Sequence, residues 1–429
     1  MTETQTLAPA FNRTVLPSGL RILTSTLPHT NAVSINFLFG AGSRYETERL
    51  AGASHLFEHV LFKGTSKRPT PREIAEVVEG VGGTLNAFTD REITGYWCRL
   101  AKPHYRNGID LIADMVRNSK LRDDDIEKEK QVVFEEIRAS NDSPGGRVAH
   151  LLDGLIWPDQ PMGRDIAGSV ESVQAISRDE MLEYLHTQYV ASNTVITVAG
   201  NISHDEVVDQ LNDLMGDFGD GTILPIRPFE DNLDGPQVKV EYRKTEQAHM
   251  ALGLHGVSMN DDDRHALSLL SVILGESMSS RLFEEVREQR GLAYDIHSAM
   301  ATFTDCGAFL VESGVDPARA KEALPVIIEE LAKVRDGVTE REFEQARELS
   351  KGRLLLRMED SRAVGMFMGV QEMLRGEVKT IEDIVADIES VKPEDIKRVA
   401  ERVIRPNKLA MAVVGPLRSA APFERSLDF

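Results

Sequence analysis

The chain has 429 residues, 41% hydrophobic and 28% charged, which is enough for two or so globular domains, each with its own core. A formal net charge of −20 excludes the basic surface that phosphate binding needs, so nucleic acid is not an expected partner. No apolar run of about eighteen residues occurs, and the first ten residues lack the features of a signal or transit peptide, so a cytoplasmic protein without a membrane span is expected. Cys98 and Cys306 stand far apart with no CxxC pattern, which fits a reducing compartment and two buried thiols.

In chain order, the first element with chemistry in it is His-Leu-Phe-Glu-His at residues 55–59. Residues i and i+4 share a helix face, so His55 and His59 can hold one metal ion between them, zinc being the usual choice. Glu58 projects beside that metal and can take a proton from an attacking water. The order inverts the His-Glu-x-x-His helix of many metallopeptidases; a helix that carries these residues without a metal is the alternative. Residues 83–89, Gly-Thr-Leu-Asn-Ala-Phe-Thr, have strand propensity next to a double glycine. They are expected as an edge strand able to pair with an extended backbone.

Residues 123–138 are polar, lack Gly and Pro, and begin a stripe of Ile126, Val133, Ile137 and Ser140 at helical spacing. Glu129 and Glu136 fall on that stripe, two turns apart, whereas Glu135 shares a face with Lys128, Gln131 and Arg138. Carboxylates on an apolar stripe call for a partner. A metal held by Glu136, with Glu129 supporting from behind, is one explanation; a loosely patterned stripe is the other. Other histidines, at 104, 150, 249, 255, 265 and 297, lack ligand spacing and are expected to be structural or exposed.

The chain repeats itself. The strand patterns at 195–201 and 410–416 both run into glycine, and each follows a helix with an N-terminal capping signal, at 176–180 and 391–395. Residues 76–82 are echoed by 285–291. Between the copies, residues 217–236 are rich in Gly, Pro and Asp and lack periodicity, as a linker does. The expected organisation is a domain at 1–216, a linker at 217–236 and a homologous domain at 237–429, each a layered α/β or α+β domain with helices on a sheet. Carried into the second copy, His55, Glu58 and His59 fall near Ala266, Leu269 and Leu270, and Glu136 near Arg353. The fold therefore does not itself require the polar set.

His-x-x-Glu-His followed, after seventy-six residues, by Glu136 resembles the pitrilysin-type zinc peptidases, which include insulysin and the mitochondrial processing peptidases. The blocks at 40–46, 58–65, 82–89 and 92–96 resemble family blocks in family order, and the likeness runs over essentially the whole chain. The resemblance implies duplicated α+β domains with mainly antiparallel sheets, zinc on His55, His59 and Glu136, Glu58 as general base and Glu129 as a supporting acid. It implies substrate contacts at Asn86 and Ala87. In the second half it implies a pair, Arg287 and Tyr294, that reaches the substrate, with Arg281 and Arg290 as competing arginines. It also implies a homodimer enclosing peptide substrates in a clam-like chamber, a heterodimer being the variant. In place of the long glycine-rich loop of the mitochondrial non-catalytic subunit, this chain has only residues 275–280, which sets presequence processing in doubt. The rival expectation is a non-catalytic scaffold or peptide-binding subunit.

Overall fold

The computed structural model describes residues 11–427. The N-terminal ten residues, on which the expectation of no targeting segment rests, lie outside them. Two sheets organise the chain. The first contains β1 (Phe11–Val15), β2 (Arg21–Thr26), β3 (Ala32–Phe39), β4 (Thr84–Thr89), β5 (Thr94–Ala101) and β6 (Thr194–Gly200), in the order β1-β2-β6-β3-β5-β4. The second contains β7 (Gln237–Tyr242), β8 (Ala248–His255), β9 (Ala293–Thr302), β10 (Gly307–Val315) and β11 (Ala410–Gly415), in the order β7-β11-β8-β10-β9. With β1 set aside, the two orders are the same. Each sheet is antiparallel apart from one parallel pair, β2 with β6 and β7 with β11. The duplication expected from the sequence is a duplication of topology.

The repeat extends to local chemistry. Gly82 and Gly291 both take positive φ, 75° and 56°, just before the edge strands β4 and β9. That conformation costs a β-carbon dearly, so glycine recurs there. Ser177 caps its helix reciprocally with Glu180, and Lys392 and Asp395 occupy the matching places in the second copy.

The packed units do not follow the expected boundary. One unit comprises the chain up to Ile137, Asp165–Arg227 and Leu354–Glu382; the other comprises Arg138–Arg164, Pro228–Arg353 and the chain from Asp383 on. Residues 217–236 carry no helix or strand, and each compact unit takes segments from both 1–216 and 237–429. The reason lies in the two faces of a strand. Val33, Ile35, Phe37 and Phe39 of β3 point into the core formed with the helices of the first copy. Ser34, Asn36 and Leu38 point the other way, and the helix Ser361–Arg375 covers that face: Ser34 and Ser361 hydroxyls meet at 3.0 Å, and Glu372 takes both Arg13 and Arg21. The second sheet is covered likewise. Its face of Ala251, Ala308, Ala410 and Ala412 packs on the helix Pro144–Ile156 through Val148, Leu151, Leu152 and Ile156. Each unit thus includes one helix from the other copy, and β3 is buried nearly throughout.

Candidate metal centre

The short helix Ala53–Val60 carries the histidines. Leu56, Phe57 and Val60 fix its inner face in the core, and Phe57 stacks on Tyr184 with ring centroids 5.7 Å apart. His55, Glu58 and His59 occupy the opposite, half-buried face. At its start Gly52 has φ 92°, and a β-carbon there would lie 2.5 Å from the Ala167 carbonyl oxygen, so only glycine fits. The Glu46 carboxylate, 4% exposed, accepts from the backbone N–H groups of Gly52 at 2.8 Å and Ser54 at 2.7 Å. An anion at a helix N-terminus satisfies free donors and complements the helix dipole.

The helix Asp123–Asp142 supplies the carboxylates, with Ile126, Val133 and Ile137 buried as the periodicity expects. Lys130 and Phe134 are buried too, which the stripe did not include. Glu136 Oε2 lies 3.5 Å from His55 Nε2 and 3.4 Å from His59 Nε2. The three donor atoms lie within 4.8 Å of one another, the one such group among the described residues. Two imidazole nitrogens and one carboxylate oxygen are a donor set that catalytic zinc sites use, leaving a fourth position open. The side chain of Glu136 is 47% exposed, so the centre opens to solvent. The residues fit a zinc ion.

Glu129 stands where the supporting acid was expected. Its Oε2 lies 3.3 Å from His59 Nδ1 and its Oε1 2.6 Å from Lys63 Nζ. A carboxylate on Nδ1 fixes the ring and directs the lone pair of Nε2 outward, toward a metal. Burial, reinforced by the charge of His59, lowers the His55 pKa to about 4, which keeps that imidazole neutral. Burial also opposes charge on His59, but the bond to Glu129 and the nearby carboxylates outweigh it and raise its pKa. Glu129 is held below the ordinary range because His59 and Lys63 overcome its burial. Glu58 is raised chiefly by burial, against the pull of a hydrogen bond from Thr89, whose Oγ1 lies 2.7 Å from Glu58 Oε2.

Asn86 and Ala87 lie on β4, the outer strand of the first sheet, paired on one side with Trp97 and Tyr96 of β5. Arg287 and Tyr294 belong to the second unit. The Arg287 guanidinium sits 4.6 Å from the Phe283 ring and 5.7 Å from the Tyr294 ring, and Tyr294 is 75% exposed. Arg281 is engaged instead by both oxygens of Glu342, at 2.6 and 3.0 Å, and Arg290 faces Glu285 at 3.7 Å. In the second copy Ala266, Leu269 and Leu270 are buried in the helix Arg264–Gly275, and Arg353 pairs with Glu276 at 3.0 Å. Packing and an ion pair occupy the places of the candidate metal ligands there. Cys98 and Cys306 are free and buried. No helix among the described residues is long and apolar enough to cross a membrane.

Glu46, Lys63 and Thr89 had no role on sequence grounds. Glu46, Lys63 and Thr89 lie inside recognisable blocks, but what marks them is a contact between elements distant along the chain.

A duplicated α+β chain with an inverted histidine–glutamate metal helix in one copy defines the class of inverted-motif metallopeptidases. The comparisons agree. Residues 21–170 match the family model described as Insulinase (Peptidase family M16), and residues 175–350 match that of the Peptidase M16 inactive domain. An uncharacterized zinc protease of Streptomyces coelicolor is 37% identical over 95% of this chain and 90% of its own length. The uncharacterized zinc protease YmxG of Bacillus subtilis is 34% identical over 95% of this chain and 98% of its own. The crystal structure of a protease from Helicobacter pylori superposes with a TM-score of 0.89 over 95% of this chain and all of that one, at 24% identity. The chain belongs to the M16 peptidase family.

Proposed function

We infer that the protein is a zinc-dependent endopeptidase acting on unfolded peptides. The observation that carries this reading is the convergence of His55, His59 and Glu136, with Glu58 on the same helix face. Family membership and relatives named as zinc proteases support it. His55, His59 and Glu136 would hold the zinc, which when bound supplies Lewis-acid polarisation of the scissile carbonyl and of water. Glu58 takes the proton of the attacking water on a carboxylate oxygen and returns it to the leaving amine nitrogen as the C–N bond breaks. Its burial suits both halves of that cycle, because a raised pKa brings a carboxylate closer to a group that gives a proton back.

The free edge of β4, with Asn86 and Ala87, takes the substrate backbone as an added strand, a mode nearly blind to side-chain identity. Arg287 holds a substrate carbonyl or carboxylate, and the Tyr294 hydroxyl donates to the oxyanion. The assembly is a homodimer in which the Arg–Tyr half of one chain serves the zinc half of its partner, in a cytoplasmic setting. The deciding experiment measures zinc content and cleavage of an unstructured peptide of about thirty residues by the wild type and Glu58→Gln. One zinc per chain with cleavage by the wild type alone is expected, the variant falling at least about a hundredfold. Zinc without cleavage in either protein would point to a non-catalytic or partner-dependent subunit and overturn this reading.

A further inference from the structure

We propose that Thr89 is a positioning residue for the general base, so that one strand both receives the substrate and orients Glu58. The inference rests on the peptidase reading and adds a residue to it. Thr89 closes β4, two residues beyond Ala87, and pairs with Thr94 of β5. Its hydroxyl reaches across to the histidine helix, 2.7 Å from Glu58 Oε2 and 3.5 Å from the Ser54 carbonyl oxygen. Ser54 and Glu58 are one helical turn apart, so both acceptors face the same hydroxyl.

A hydroxyl has one proton to donate and lone pairs to accept with. While Glu58 carries its charge, the short contact is a donation from Thr89 to Oε2, a charge-assisted bond that holds the carboxylate plane. This leaves Oε1 as the oxygen that receives the proton from water. With the proton on Oε1, Oε2 still has lone pairs to accept with, so the Thr89 hydroxyl keeps donating to it and the carboxyl plane stays held. The proton count is unchanged at Thr89 throughout. Ser54 is itself anchored, its N–H on Glu46 and its hydroxyl 2.7 Å from that of Tyr184, so the second acceptor is fixed. A carboxylate loose by even about 1 Å loses much of its catalytic power, and Thr89 removes that freedom from the side of the substrate strand.

The test compares wild type, Thr89→Val and Thr89→Ser, the valine matching threonine in shape without the hydroxyl. Zinc affinity is measured by competition with a chelator, thermal stability by unfolding, and kcat and KM with the unstructured peptide. Thr89→Val is expected to lose about tenfold or more in kcat while KM and zinc affinity stay within about twofold, and Thr89→Ser to restore kcat. An unimpaired kcat in Thr89→Val overturns the proposal, as does a kcat loss matched by lost zinc or left unrescued by serine. A wild type that binds zinc without cleaving overturns the peptidase reading and this inference with it. A cleaving wild type beside an equally active Thr89→Val overturns the inference alone.

Discussion

His59 Nδ1 lies 3.3 Å from Glu129 Oε2, and the other oxygen of the same carboxylate lies 2.6 Å from Lys63 Nζ. The lysine, the acid and the histidine form one chain that ends on a candidate metal ligand. The side chain of Glu129 is 7% exposed, so its charge is worth burying only because two partners share it. Glu129→Ala is expected to weaken zinc binding by about 10–100-fold, and Lys63→Met to weaken it less, because lysine acts through the acid. Chelator competition measures both. A Glu129→Ala protein with wild-type zinc affinity would remove Glu129 from the centre.

Glu46 does for the start of the histidine helix what Glu129 does for its far end. It accepts two backbone donors and stays almost wholly buried. Loss of a charged cap of this kind costs on the order of 2 kcal/mol. Glu46→Ala is expected to lower the unfolding free energy by about that amount in denaturant titrations. Glu46→Gln, which keeps one acceptor, is expected to fall between. Equal stability of all three proteins would deny the cap its role.

The histidine helix was legible because its pattern is local: His55, Glu58 and His59 are set by helical spacing alone. Glu136 and Glu129 were legible through a conflict, carboxylates on an apolar stripe, which the structure resolves by placing them against the histidines and Lys63. The repeat was legible in its strand ends, and the glycines at 82 and 291 share a backbone conformation. The exchange of helices between units was not legible. The Pro144–Ile156 helix and the helix Ser361–Arg375 are ordinary amphipathic segments, and nothing in a period of 3.6 says which sheet face receives them. Thr89 and Glu46 escaped for a related reason, since their partners stand 31 and between 6 and 8 residues away across turns that spacing rules do not cover.

Arg44 and Glu92 form an ion pair at 2.6 Å with side chains 0% and 3% exposed, and Arg44 also donates to the Arg227 carbonyl oxygen at 3.1 Å. Removing one member strands a buried charge, which typically costs about 3–5 kcal/mol, whereas replacing both by apolar groups costs far less. Arg44→Met alone is expected in that range, and Arg44→Met with Glu92→Leu is expected to recover part of the loss. The double-variant cycle in denaturant supplies the measurement. Additive losses would mean that the two side chains are not coupled.

The Arg281–Glu342 pair gives a prediction with a defined pH window. Burial alone would raise the Glu342 pKa, but the bonds from Arg281 and from Thr339 bring it down to about 2. A folded-state pKa below the unfolded one means that the unfolded chain binds the proton more readily in that range, so stability falls as pH falls. The contribution is complete above the ordinary glutamate range of about 4.3 and disappears as pH drops through about 2. Glu342→Gln is therefore expected to be less stable than wild type at neutral pH, with the gap closing between those limits. Arg281→Leu is expected to leave peptide cleavage near the wild-type level, since Glu342 already occupies both nitrogens that face it. Denaturant titrations across the pH range test the first outcome, and a gap that stays constant down to pH 2 would show that Glu342 titrates normally in the folded chain. Cleavage assays of Arg281→Leu beside Arg287→Leu test the second: loss in Arg281→Leu with activity kept in Arg287→Leu would transfer the substrate role from Arg287 to Arg281.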